Sequence, residues 1–198
     1  LPLLNSAGAR VILGQKPSPD GLAEPIRPSP DSLFGPRGAV LGGESGPLFV
    51  CDSGHHRLLI WNSLPTSDGA PADLLIGQRD FFSEGRNGKG AVGPATLNVP
   101  TGIAASDGIL AVADAWNHRV LIWRGYPKHS NQPADVVLGH ADFSGGAANR
   151  GTSTAKSDTL NWCYGVAIVG EALYVADTGN RRVLRWNTIP KNSGTPAD

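Results

Sequence analysis

Three carboxylates stand five residues ahead of three arginines: Asp52 and Arg57, Asp114 and Arg119, Asp177 and Arg182. Such a pair across a tight turn can supply an acid or base, or it can accept the turn's N–H groups and lock the chain. Recurrence favours the second reading, since a catalytic acid is needed once and a pair that returns in every unit belongs to the scaffold. The histidines are the other source of chemistry. His55 and His56 are adjacent and so not spaced for one face of a strand, His118 lies in the next unit, and His129 sits in a Pro-containing loop. His140 occupies a position held elsewhere by Gln15 and Gln78, which points to hydrogen bonding. No Cys/His spacing resembles a zinc site. Cys51 replaces Ala113 and Ala176 as a small buried residue, and Cys163 replaces Pro100, so a disulfide between them is not expected. Nucleophile elbows, phosphate loops and dinucleotide fingerprints are absent. The sequence therefore assigns no catalytic residue, no metal ligand and no cofactor.

The elements that hold these residues repeat. Asp52-Ser-Gly-His-His-Arg57-Leu-Leu-Ile-Trp61 returns as Asp114-Ala-Trp-Asn-His-Arg119-Val-Leu-Ile-Trp123 and as Asp177-Thr-Gly-Asn-Arg-Arg182-Val-Leu-Arg-Trp186, at offsets of 62 and 63. Pro-Ala-Asp ends at Asp73, Asp135 and Asp198 with the same offsets. An apolar triplet before glycine (Val11 to Gly14, Leu74 to Gly77, Val136 to Gly139) and a leucine five residues before a glycine (Leu33, Leu97, Leu160) keep the same order. Each unit reads as four short strands rich in Val, Leu and Ile, with a four-residue turn between the second and third in which Gly and Asn supply positive φ. The units run over about 15–77, 78–139 and 140–198 as one segment of 1–198, and an additional strand is expected over 10–14.

Composition narrows the classes further. The 198 residues carry 17 Lys+Arg and 17 Asp+Glu, without the basic excess of a protein that reads phosphates, so no nucleic-acid partner is expected. No apolar run reaches the ~18 residues of a membrane span. Gly (26) and Pro (16) beside 40% hydrophobic residues suit short strands joined by tight turns. Methionine is missing, position 1 included, which reads as a processed or excised segment and leads to the expectation of a periplasmic or secreted location.

Gly165-x-Ala followed by Val175-Ala-Asp-Thr-Gly-Asn-Arg-Arg-Val-Leu184 resembles the NHL repeat, in its longer bacterial form with Pro-Ala-Asp-x-x-Leu-Gly-Gln and Asp-Phe. His55 departs from it where Asn117 and Asn180 stand. The resemblance implies an all-β fold, a β-propeller of four-stranded antiparallel blades. It does not select an activity, because such propellers include protein-binding and RNA-binding modules and some lyases.

Propellers close with about four to eight blades, and this chain supplies three. The expectation is thus half of a six-bladed ring closed as a two-fold dimer; the competing readings are a fragment of a longer propeller and half of a ring shared with another protein chain. Trp61, Trp123 and Trp186 share the blade period and are read as packing residues. Positions where the units differ are the binding candidates. Trp116 stands where Gly54 and Gly179 stand, His56, His118 and Arg181 share one turn position, and His55 adds a neighbour. The channel mouth is assigned to Arg37, Thr101 and Tyr164, with Trp162 nearby. An aromatic and cationic rim suits an anionic, peptide or glycan ligand. The function expected is a non-catalytic binding or assembly module; the alternative is a metal-assisted lyase or hydrolase working at the channel mouth.

Overall fold

A computed structural model describes residues 11–14 and 27–198. Its first sheet runs β1 (Gly38–Leu41), β2 (Leu48–Asp52), β3 (Arg57–Trp61) and β4 (Leu74–Ile76). The second comprises β5 (Pro100–Ser106), β6 (Ile109–Asp114), β7 (Arg119–Arg124) and β8 (Val136–Leu138). The third has β9 (Cys163–Val169), β10 (Ala172–Asp177) and β11 (Arg182–Trp186). Strands pair in sequence order and antiparallel in every sheet, so each unit is a β-propeller blade.

Alternation along the strands gives each blade two apolar faces. Phe49, Cys51, Leu58, Ile60 and Ile76 of the first blade meet Leu110, Val112, Leu121, Trp123 and Val137 of the second. The second blade turns Ala111, Val120, Ile122 and Leu138 towards Leu173, Val175 and Trp186 of the third. Trp61, Trp123 and Trp186 are buried, on the back of the first blade and in these two clusters. Their Nε1 groups donate to the carbonyls of Ala70, Gln132 and Thr195, each nine residues on, which ties the loop after the third strand to its own blade.

Eleven strands stand among the described residues, against twelve expected. Of the expected strand 10–14, Arg10 lies outside the described residues, and 11–14 form no ladder with any strand among the described residues. Their position is still informative. Gly69 donates its N–H to the Ile12 carbonyl at 2.8 Å, as Asn131 does to Leu75 and Gly194 to Val137. Residues 11–14 thus lie against the first blade as β4 lies against the second and β8 against the third. They occupy the outer-strand place of a preceding blade.

Positive φ in the turns also falls elsewhere than expected. His56, His118 and Arg181 hold φ of 55°, 53° and 57°, while Gly54, Gly179, Asn117 and Asn180 do not adopt it. Glycine serves closeness instead: a Cβ on Gly54 would strike Phe34, and one on Gly179 would come within 2.6 Å of Asn161. The inner strands make the same demand, since a Cβ on Gly102 would meet the Tyr164 carbonyl at 2.7 Å and the Gly165 Cα at 2.9 Å. Gly102→Ala is therefore expected to force the second seam apart and cost about 1–3 kcal/mol. Gly93→Ala, whose nearest neighbour would be the Thr96 methyl at 3.9 Å, is the neutral control. Equal unfolding midpoints for the two variants would refute the close approach.

Candidate ligand and partner interface

The repeated ion pair is the hub of each blade. Asp114 is fully buried; its Oδ1 accepts the Asn98 N–H at 2.6 Å, and its Oδ2 accepts Arg119 Nε at 2.7 Å and Asn117 Nδ2 at 2.8 Å. Arg119 then donates to the carbonyls of Phe143, Gly93 and Thr96, which belong to the long segments on either side of the blade. Asp52 with Arg57 repeats the set through Phe34, Phe81, Ser29 and Ser32. Asp177 with Arg182 repeats it through Asn161, Lys156 and Thr159, but Arg182 is partly exposed and has no partner for Nη1 among the described residues. In the first two blades all three guanidinium nitrogens donate to oxygens, so there the pair serves to close loops.

His55 is not a rim residue. It is buried at 0% exposure, with Nδ1 at 2.8 Å from Asp52 Oδ2, the bond that Asn117 and Asn180 make through Nδ2. In the other blades that asparagine exchanges hydrogen bonds with a second one from the preceding long segment, Asn117 with Asn87 and Asn180 with Asn149. Asn87 and Asn149 were not singled out from sequence. Their common place ten residues after Gly77 and Gly139 was the available signal.

His56 and His118 join blades. The Val99 N–H donates to His56 Nδ1 at 3.1 Å, and the Trp162 N–H donates to His118 Nδ1 at 2.9 Å. Burial pulls both histidines below their ordinary pKa by penalising the charged ring, in His56 with help from the Arg86 charge. Arg181 takes the same position in the third blade and is exposed. His140 behaves as the glutamine equivalence implies: its Nε2 donates to the Asn117 carbonyl at 3.0 Å, and Gln78 Nε2 donates to the His55 carbonyl at 3.0 Å. The cysteines are buried and unpaired, and burial drives both thiols far up, away from thiolate.

The channel assignment brings its residues together. Arg37, Thr101 and Tyr164 line one concave groove of 450 Å³ with Gly38, Gly102 and Gly165, on the three innermost strands. Thr101 is buried rather than presented, because its Oγ1 donates to the Tyr164 carbonyl across the seam at 2.9 Å. Arg37 is exposed and Tyr164 half-buried. On the same rim Trp162 is exposed and stacks on His118, centroids 6.2 Å apart, and exposed Trp116 lies under the Arg86 guanidinium at 5.7 Å. The exposed candidates are thus Trp116, Trp162, Arg37 and Arg181, with Tyr164 half-open, whereas His55 and Thr101 are interior and His56 and His118 are committed to the seams. Arg86 was missed because its partner ring is 30 residues away in sequence.

Among the described residues no group of three or more His, Cys, Asp or Glu is placed to hold a metal ion, and no helix is long and apolar enough to cross a membrane. Residues 97–123 match the NHL repeat family, the stretch from the end of the long segment through β7. No curated protein matches the chain.

Proposed function

With an NHL repeat in a chain of β-propeller blades as the premise, we propose that this protein is an interaction and assembly module that completes its ring with a second copy of itself. The observation that carries this reading is the pair of unmatched blade faces. Val183 of β11 stands where the fully buried Leu58 and Val120 stand in the other blades, yet it is 67% exposed. Val169, at the end of β9 on the same sheet, is 64% exposed, and Arg185 lies over the Tyr174 ring at 5.8 Å. The opposite end offers Ile12, Leu41 and Leu64, all exposed, beside an outer strand position filled by 11–14 but lacking its blade. Among the described residues β11 pairs in a ladder with β10 alone, and 11–14 have no ladder partner. A two-fold arrangement pairs each deficiency with its complement twice and yields six blades.

The channel rim is the face for further partners. Arg37 and Arg181 supply cations and Trp116, Trp162 and Tyr164 supply rings, which suits an anionic peptide or glycan. His55, His56 and His118, on which a metal-assisted lyase or hydrolase would draw, each commit Nδ1 to a hydrogen bond within the scaffold, and among the described residues no three ligands converge on one point.

Sedimentation of the purified chain tests the assembly. The expected mass is twice 20.6 kDa. Val183→Glu is expected to give a folded monomer, because the substituted side chain faces solvent in the lone chain and an apolar seam in the ring. A well-folded wild-type monomer would sink the reading, as would a Val183→Glu protein that sediments like the parent.

A further inference from the structure

The two seams end, on the side away from the His56 and His118 turns, in equivalent loops with unequal side chains. In the first seam Tyr126, just after β7, lies across Phe49 of β2, ring centroids 5.1 Å apart and planes at 59°. Its hydroxyl donates to the Gly42 carbonyl at 3.1 Å. Gly42 makes room for it, since a Cβ there would come within 2.7 Å of the ring. In the second seam the residue at the Tyr126 position is Ile189, and at the Phe49 position it is Ala111. Two aromatic rings are replaced by one branched chain and one methyl.

Beside Ile189 the space remains open. A cavity of 440 Å³ lies there, with Ile109 and Ile189 as its apolar lining and Asp107, Glu171, Arg124 and Lys191 around it. The volume falls within the range of small-ligand sites. Two acidic and two basic side chains balance one another, so the rim selects neither an anion nor a cation, and recognition falls to the apolar lining. We propose that this cavity receives an aromatic ring from outside the chain, beside Ile189, which stands at the Tyr126 position of the sister seam. The ring is a phenyl or phenol, carried either by a side chain of a bound polypeptide or by a free aryl compound. This site is separate from the channel rim and does not depend on ring completion.

The test follows the isoleucine methyl resonances of the whole protein during titration with N-acetyl-tyrosinamide, with a tyrosine-centred peptide and with N-acetyl-leucinamide. Saturable shifts of Ile109 and Ile189 are expected with both tyrosine probes and not with the leucine probe. Tighter binding of the peptide identifies a polypeptide source, and equal affinities identify a free aryl ligand. Ile189→Tyr, which sends a ring into the cavity from the Tyr126 position, is expected to weaken binding at least tenfold. Thr188→Trp, at the exposed lip, blocks the same space without entering the seam, and serves if Ile189→Tyr does not fold. The proposal fails if no saturable shift appears up to about 10 mM, the limit of weak specific binding. It also fails if the leucine probe binds equally, or if a folded blocking variant binds undiminished.

Discussion

Asp114→Ala is expected to destabilise the protein by about 3–5 kcal/mol, the cost of stranding a buried guanidinium. For a chain of this size that lowers the thermal midpoint by roughly 10–15 °C. The magnitude follows from what Arg119 holds. With Asp114 gone, its Nε loses its acceptor inside a fully buried site, the Asn98 N–H and Asn117 Nδ2 lose theirs, and the long segment 93–98 loses its tie to the β6–β7 turn. Asp177→Ala removes the same set of contacts in the third blade, but Arg182 is 27% exposed and can turn to water. Its cost is expected to be about half as large or less, in the range of partly exposed pairs. Chemical denaturation of both variants measures the contrast. Equal losses would mean that solvation of the arginine is not what sets the penalty.

That hub was readable before any coordinates, because Asp and Arg keep their five-residue spacing across all three units and the tryptophans keep theirs. Blade order and strand identity were readable for the same reason: periodicity reports whatever the scaffold requires of every unit. What differs between units is harder to place. His55 looked like a rim residue because its neighbours in sequence are turn residues, yet the slot it fills is enclosed by Asp52 and Arg57 from its own hairpin. Thr101 looked like a channel side chain, and its hydroxyl is drawn sideways to the Tyr164 carbonyl by a seam that only the packed blades create. Positive φ was assigned to Gly and Asn on propensity, whereas the turn puts it on its fourth residue, where His56, His118 and Arg181 gain a direction towards the next blade. The cavity at Ile189 was invisible because it depends on residues of two units, Ile109 and Ile189, meeting across a seam, which no single unit encodes.

Those same histidines make the protein acid-sensitive, with stability expected to be level above about pH 6.5 and to fall as the pH drops below it. The sign is fixed by the direction of the shifts. His56, His118 and His140 all lie below the ordinary histidine value in the folded protein, chiefly through burial. The carboxylates that face them oppose this without reversing it, Asp114 and Glu84 at His56, Asp114 and Asp177 at His118. Arg86 at His56, and Arg119 and Arg150 at His140, reinforce it. On acidification the unfolded chain takes up these protons first, so proton uptake accompanies unfolding and stability declines until the folded values are passed. Structurally, a proton on Nδ1 of His56 or His118 removes the acceptor for Val99 or Trp162 and loosens the rim of a seam. Urea unfolding between pH 8 and 5 should show this decline, and it should shrink when His56 and His118 are replaced together by glutamine, which presents an acceptor without titrating. An unchanged pH dependence in that double variant would place the acid sensitivity elsewhere and remove the two turns as inter-blade locks.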